Sequence, residues 1–133
     1  MAALVSSGGL YALADRSDEG HAAAVAALSQ AGGLVALAPV ITEAVQLAER
    51  LLDEAAGDRL LGAVVGGELL FQPLEPRDWT AAQALRRAEE GLSLTDALVL
   101  AVAARLGVET VLCREPALAR AARRQGRRPL PEE

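Results

Sequence analysis

Apolar positions along the chain fall into two alternating patterns. Short strand-like runs occur at Ala2–Val5, Leu34–Leu37, Leu69–Gln72 and Val108–Leu112. Helix-spaced stretches separate them. Leu10–Ala14 is short, and His21–Leu28 follows with Ser17 as its expected cap. Pro39–Ala55 repeats Val40, Ala44, Leu47, Leu51 and Leu52 at helical spacing, and Asp58–Val65 is a further short helix between Gly57 and Gly66–Gly67. Pro76–Glu90, Ser93–Leu106 and Pro116–Gln125 complete the series, with Gly91 and Gly107 where helices end. Strands alternating with helices of these lengths predict parallel pairing through right-handed crossovers. The expected fold class is therefore α/β, a three-layer α/β/α sandwich around a central parallel sheet. No repeat, linker or second composition interrupts it, which predicts a single domain over residues 1–133.

In such a sheet ligands bind outside the carboxyl ends of the strands. Ser6–Ser7 follow the first strand and Glu115 follows the last. Glu43 lies early in the helix after Pro39, among Val40, Ile41, Ala44 and Val45, where it suits either a solvated turn or a cleft. Asp96 closes "SLTD", a pattern that by itself describes a capping box. Glu115, just before Pro116, has a similar helix-leading role open to it. Carboxylates gathered at one strand-end edge repel each other, and such a cluster persists with a cation or with raised pKa values. Oxygen-only ligands favour Mg²⁺ or Mn²⁺ over zinc.

Composition narrows the function classes. The net charge of −5 argues against a protein that coats nucleic acid over its whole surface. All its basic residues are Arg, and Arg114, Arg120, Arg123, Arg124, Arg127 and Arg128 form a basic C-terminal patch. That patch suits helix-dipole complementation or contact with RNA phosphates. The single Cys113 excludes an internal disulfide, and no apolar run reaches the roughly 20 residues of a membrane span. With no export signal at its start, the chain is expected in the cytoplasm. "SSGG", Ser6–Gly9, reads as a capping turn or an anion cradle, the latter supporting a weaker phosphotransfer reading. The only His, His21, is expected to be solvated on an Ala-rich helix, and Cys113 to be a small core residue. Tyr11, Phe71 and Trp79 are scattered singly, which suits core packing and offers no platform for stacked bases.

Over nearly its whole length the sequence resembles a PIN domain, the fold of the toxin ribonucleases of VapBC pairs. "LVSSGGLYALADR" follows that family's first strand and helix, with Ser6 where the family has Asp. "LVALAPVITEAVQLAERLL" places Glu43 on the family's Glu. "LSLTDALVLAVAARLGVETVLCREPALARAA" is the most specific piece, placing Asp96 on the third acid and Glu115 on the last. The resemblance implies that Glu43, Asp96 and Glu115 hold Mg²⁺ or Mn²⁺ weakly, with Ser6 orienting a water. It also implies RNA as substrate, an antitoxin-like protein as partner, and a homodimer. A PIN-fold protein that binds RNA or a partner without catalysis is the alternative. The apolar "ALVLAVAARLG", Ala97–Gly107, is expected to be largely buried, in part between subunits.

Overall fold

The structure is a computed structural model, described here for residues 2–132; Met1 and Glu133, the ends of the expected 1–133 domain, lie outside the described residues. The elements are β1 (Ala3–Val5), α1 (Ser7–Ala14), α2 (His21–Gln30), β2 (Leu34–Ala36), α3 (Ala38–Leu51), α4 (Glu54–Val65), β3 (Leu70–Phe71), α5 (Pro76–Ala88), α6 (Leu94–Leu106), β4 (Thr110–Leu112), α7 (Pro116–Arg124) and β5 (Arg128–Leu130). Five parallel strands in the order β3-β2-β1-β4-β5 form the central sheet of a three-layer α/β/α sandwich. The strand order reverses beside β1, since β1 pairs with β2 on one side and β4 on the other. The ends of β1 and β4 therefore open onto one crevice.

The core is built from Leu4, Val5, Leu37, Val40, Leu98, Leu100, Val102, Val111, Leu112 and Leu118, all fully buried. Helix α6 is buried continuously from Thr95 to Ala103 within one chain. A helix apolar on every face must be interior, and here the sheet and α5 cover it without a second subunit. The expected burial of Ala97–Gly107 is thus met as far as Ala103, whereas Ala104, Leu106 and Gly107 are exposed.

Several details differ from the sequence pattern. The stretch read as one helix, Pro39–Ala55, breaks at Leu52, because the Asp53 carboxylate accepts from Ala56 N at 2.8 Å and starts α4. Ser17 does not cap α2. The residue at that position is Gly20, while Ser17 donates from N and Oγ to Asp15 Oδ1 at 2.9 and 2.6 Å. The apolar pattern does not predict β5: Arg128–Leu130 adds an edge strand, a place where Pro129 costs no ladder bond that the sheet needs. Phe71 and Trp79 are not core residues. Phe71 lies on edge strand β3 at 54% exposure and Trp79 on α5 at 48%; of the three, Tyr11 alone is buried. Helix α5 turns Asp78 and Ala82 inward instead, and Asp78 is held by Arg105 of α6 at 2.8 Å.

Candidate active site

The carboxyl ends of β1 and β4 and the starts of α1, α3 and α6 meet at one place. Ser6, fully buried, ends β1 and caps α1, its Oγ accepting from Gly9 N at 3.0 Å. The same hydroxyl donates to Glu115 Oε1 at 2.6 Å. Arg114 N adds a second donor to that oxygen at 2.9 Å, and Gly8 N donates to Glu115 Oε2 at 3.0 Å. The Ser6 hydroxyl, the Gly8 amide and the Arg114 amide thus cradle an anion, and that anion is the chain's own Glu115. A Cβ at Gly8 would stand 2.9 Å from Glu115 Oε2, so a larger residue there would displace that carboxylate from its cradle.

Glu43 approaches from α3. Its residue is exposed, yet both carboxylate oxygens are engaged: Ser7 Oγ donates to Oε1 at 2.9 Å and Thr95 Oγ1 donates to Oε2. Thr95 lies in the first turn of α6 and is followed by Asp96, so that turn is tied to α3 beside the third acid. Only one half of the "SLTD" capping box forms. Ser93 Oγ accepts from Asp96 N at 3.1 Å, and among the described residues no return bond from the Asp96 carboxylate to the Ser93 amide accompanies it.

Asp96 is buried, and its pKa is pushed up to about 7, first by burial, then by the charge of Glu115 and, more weakly, by that of Glu43; the Ser93 hydroxyl offsets part of this. Asp96 therefore senses both neighbouring acids electrostatically and is the one placed to carry a proton near neutrality. Ser7 and Thr95 are side chains of this candidate site that sequence reasoning missed. Their only signal was a hydroxyl adjacent in sequence to Ser6 and to Asp96.

By donor type this is an oxygen-only set suited to a hard divalent ion. By arrangement the set is already engaged within the chain. Glu43 and Glu115 each have both oxygens committed to protein donors, and among the described residues no group of three His, Cys, Asp or Glu side chains is placed to hold a metal ion. Three hydroxyls and two amides compensate these charges instead.

The remaining candidates take structural places. Cys113 is buried, its thiol pushed up to about 12 by burial and by the charges of Glu115 and Asp96, which leaves it an inert core residue. His21 is not merely solvated. Half-buried, it donates from Nδ1 to Ala12 O at 2.8 Å and ties α2 to α1. In the basic patch, Arg114 pairs with Asp18, Arg124 with Glu89 and Arg128 with Glu132.

The family model described as PIN domain matches residues 7–124. Among solved structures, VapC20 of Mycobacterium tuberculosis, described as a sarcin–ricin loop cleaving toxin, superposes with a TM-score of 0.81. The match covers 91% of this chain and 95% of that one at 17% sequence identity. At that identity the likeness concerns the fold. No curated protein sequence matches the chain.

Proposed function

The chain belongs to the PIN domain family, and from that membership we propose that it is a relative of the toxin ribonucleases acting on RNA, with a catalytic pocket weakened at Ser6. The observation that carries this reading is the 2.6 Å bond from Ser6 Oγ to Glu115 Oε1, at the position where the resemblance puts an Asp. The described action of VapC20 on the sarcin–ricin loop makes RNA the substrate class to test. Glu43, Asp96 and Glu115 are the proposed catalytic acids, and Ser6 is their positioning partner. Ser6 holds Glu115 against the end of β1, Ser7 and Thr95 hold Glu43 between α1 and α6, and Asp96 stores a proton.

Each hydroxyl bond to a carboxylate stabilises the arrangement by about 1.5–3 kcal/mol. A divalent ion, Mg²⁺ or Mn²⁺ by resemblance, has to compete with them for the same oxygens, which is the proposed cause of weak metal use. The hydrogen-bonded carboxylates also favour a second reading, a PIN-fold protein that binds RNA or an antitoxin-like protein without cleaving. A homodimer and a cytoplasmic place of action belong to the same proposal. Among the described residues no helix is long and apolar enough to cross a membrane.

The test is cleavage of single-stranded and structured RNA by the native chain in EDTA, Mg²⁺ and Mn²⁺, alongside RNA binding in EDTA. Binding with slow, metal-dependent cleavage is expected. Efficient cleavage by the native chain overturns the weakened pocket. Binding with no cleavage in any metal moves the protein to the second reading, and loss of both removes RNA from its function. Light scattering at micromolar concentration reads the oligomeric state, and a monomer mass refutes the homodimer.

A further inference from the structure

Trp79 is exposed on α5, and it does not stand alone. It lines a surface cleft of about 960 Å³ together with Arg86, Arg87, Gly91, Ser93 and Leu94. A second cleft of about 470 Å³ shares Glu89, Glu90 and Gly91 with the first and continues to Arg120 and Arg124. A third, of about 500 Å³, shares Arg120 and runs on past Arg123 to Arg114, Cys113 and Gly9. Shared walls make the three one track. Its first end is Ser93, whose Oγ caps the helix turn that carries Thr95 and Asp96. Its other end lies at Gly9 and Arg114, which adjoin Ser6 and Glu115. The track therefore meets the acidic pocket from two sides.

Its charge is opposite to that of the chain as a whole. Among the described residues Arg86, Arg87, Arg120 and Arg123 have no carboxylate in ion-pair reach. Of the acids along it, Glu89 is neutralised by Arg124 at 2.9 Å and Glu132 by Arg128 at 3.2 Å, while Glu90 has no ion-pair partner among the described residues and leaves the four free arginines in excess. On a chain of net charge −5 this concentrates uncompensated cations beside one exposed indole. We propose that this track is a binding path for single-stranded RNA, in which Trp79 stacks on a base and Arg86, Arg87, Arg120 and Arg123 take phosphates. The proposal rests on RNA being the ligand, as argued above, and adds where the strand lies. Guanidiniums neutralise phosphates, and an aromatic face accepts any base by stacking. A second copy of the chain is a poorer occupant, since an isologous contact would bring the same unpaired arginines toward one another.

Trp79 is the chain's single tryptophan, so intrinsic indole emission reports on this place alone. The experiment titrates the native chain with a fluorescein-labelled 12-nucleotide single-stranded RNA in EDTA, reading Trp79 emission and label anisotropy in parallel at several salt concentrations. Saturable quenching at the anisotropy midpoint is expected. Trp79→Leu should weaken binding about tenfold. Arg86→Gln with Arg87→Gln should reduce the salt slope by about 1.4, because each phosphate neutralised on a single strand contributes about 0.7. Circular dichroism establishes that these surface variants remain folded. Anisotropy that shows no binding by the native chain removes the RNA reading itself, and this proposal with it. Binding with unchanged Trp79 emission and an unaltered double-Gln variant overturns the track alone and leaves the RNA reading standing. Emission that changes with protein concentration in the absence of RNA, together with a dimer mass, assigns the cleft to a second copy and also overturns the proposal.

Discussion

Replacing Ser6→Asp tests the site at its most informative atom. Ser6 is fully buried and donates to Glu115 Oε1 at 2.6 Å while accepting from Gly9 N at 3.0 Å. An Asp retains the cap, being as good an N-cap as Ser. It loses the donor, at about 1.5–3 kcal/mol for a hydrogen bond to a charged group. It also sets a like charge about 4 Å from Glu115, a repulsion of about 4 kcal/mol at an effective dielectric of about 20. Proton uptake by the cluster relieves part of this, so a net destabilisation of about 3 kcal/mol at pH 8 in EDTA is expected. At about 2.1 cal/mol/K per residue, this chain loses roughly 0.28 kcal/mol per degree near its midpoint, and Tm should fall by about 11 °C. Mn²⁺ at 100 times its Kd returns about 2.7 kcal/mol, or about 10 °C, to the variant. The native chain, its carboxylates committed to hydroxyls, should move by less than about 2 °C under the same conditions. RNA cleavage by the variant should rise about tenfold or more, the rate equivalent of about 1.4 kcal/mol. Adding Asp96→Asn should cancel both gains. The assays are differential scanning fluorimetry and gel-resolved RNA cleavage, each with EDTA and Mn²⁺ arms. A variant that melts with the native chain in EDTA and ignores Mn²⁺ refutes the coupled acid cluster. A native chain that responds to Mn²⁺ as strongly as the variant refutes the argument from committed carboxylates.

Shortening the acid by Glu115→Asp should draw the carboxylate back from Ser6 Oγ and Gly8 N and cost about 1–3 kcal/mol in urea unfolding. Combined with Ser6→Asp it should cost less than the two single changes together, and strict additivity would show that the two positions are not coupled. The Arg105 guanidinium holds the buried Asp78 carboxyl below the usual carboxylate range, with the Glu75 amide adding to it. Asp78 therefore contributes stability that is complete above about pH 4 and is lost as pH falls through its depressed folded value. Asp78→Asn should cost about 3 kcal/mol at pH 7, and chemical unfolding at pH 7 and pH 3 should show that gap shrink in acid. Asp96 has the opposite sign: with a folded pKa of about 7, it makes the native chain less stable as pH rises from about 4 through 7. Asp96→Asn should flatten that decline in melts between pH 5 and pH 8, and an unchanged slope would place the raised titration elsewhere.

The alternation of strand and helix was legible because each apolar run is short and each crossover helix carries its own punctuation, such as the left-handed Gly91 and Gly107. Where local signals competed, it was not. "LLDEAAGDRLL" keeps helical spacing across Leu52 and Asp53, and only the Asp53 side chain turning to Ala56 N separates α3 from α4. β5 is hidden because Pro129 and the two arginines before it spoil a strand pattern, though an edge tolerates them. Trp79 misled because a lone aromatic reads as core. The face of α5 that packs inward is Asp78 and Ala82, and a charged residue gives no such warning until Arg105 is seen opposite. At the candidate site, Glu115 could be read from its position after a strand, and Glu43 and Asp96 from the starts of helices. Their hydroxyl partners could not, since Ser7 and Thr95 act across 36 and 52 residues of sequence.

The two departures from the resemblance, Ser6 and Glu115, are best understood as one. A shorter residue at the end of β1 opens a gap beside the turn, and the extra methylene of Glu115 is what lets its carboxylate reach across to Ser6 Oγ and Gly8 N. An acid at both positions would need an external positive charge, or a proton, to relieve their repulsion at neutral pH. With Ser6, the compensation comes from within the chain: hydroxyl and amide donors hold Glu115 and Glu43, and a proton can reside on Asp96. A pocket neutralised in this way keeps its shape without an ion. The same bonds that relieve it of dependence on a cation compete with one, so stability without metal and strong metal use oppose each other through the Ser6 hydroxyl.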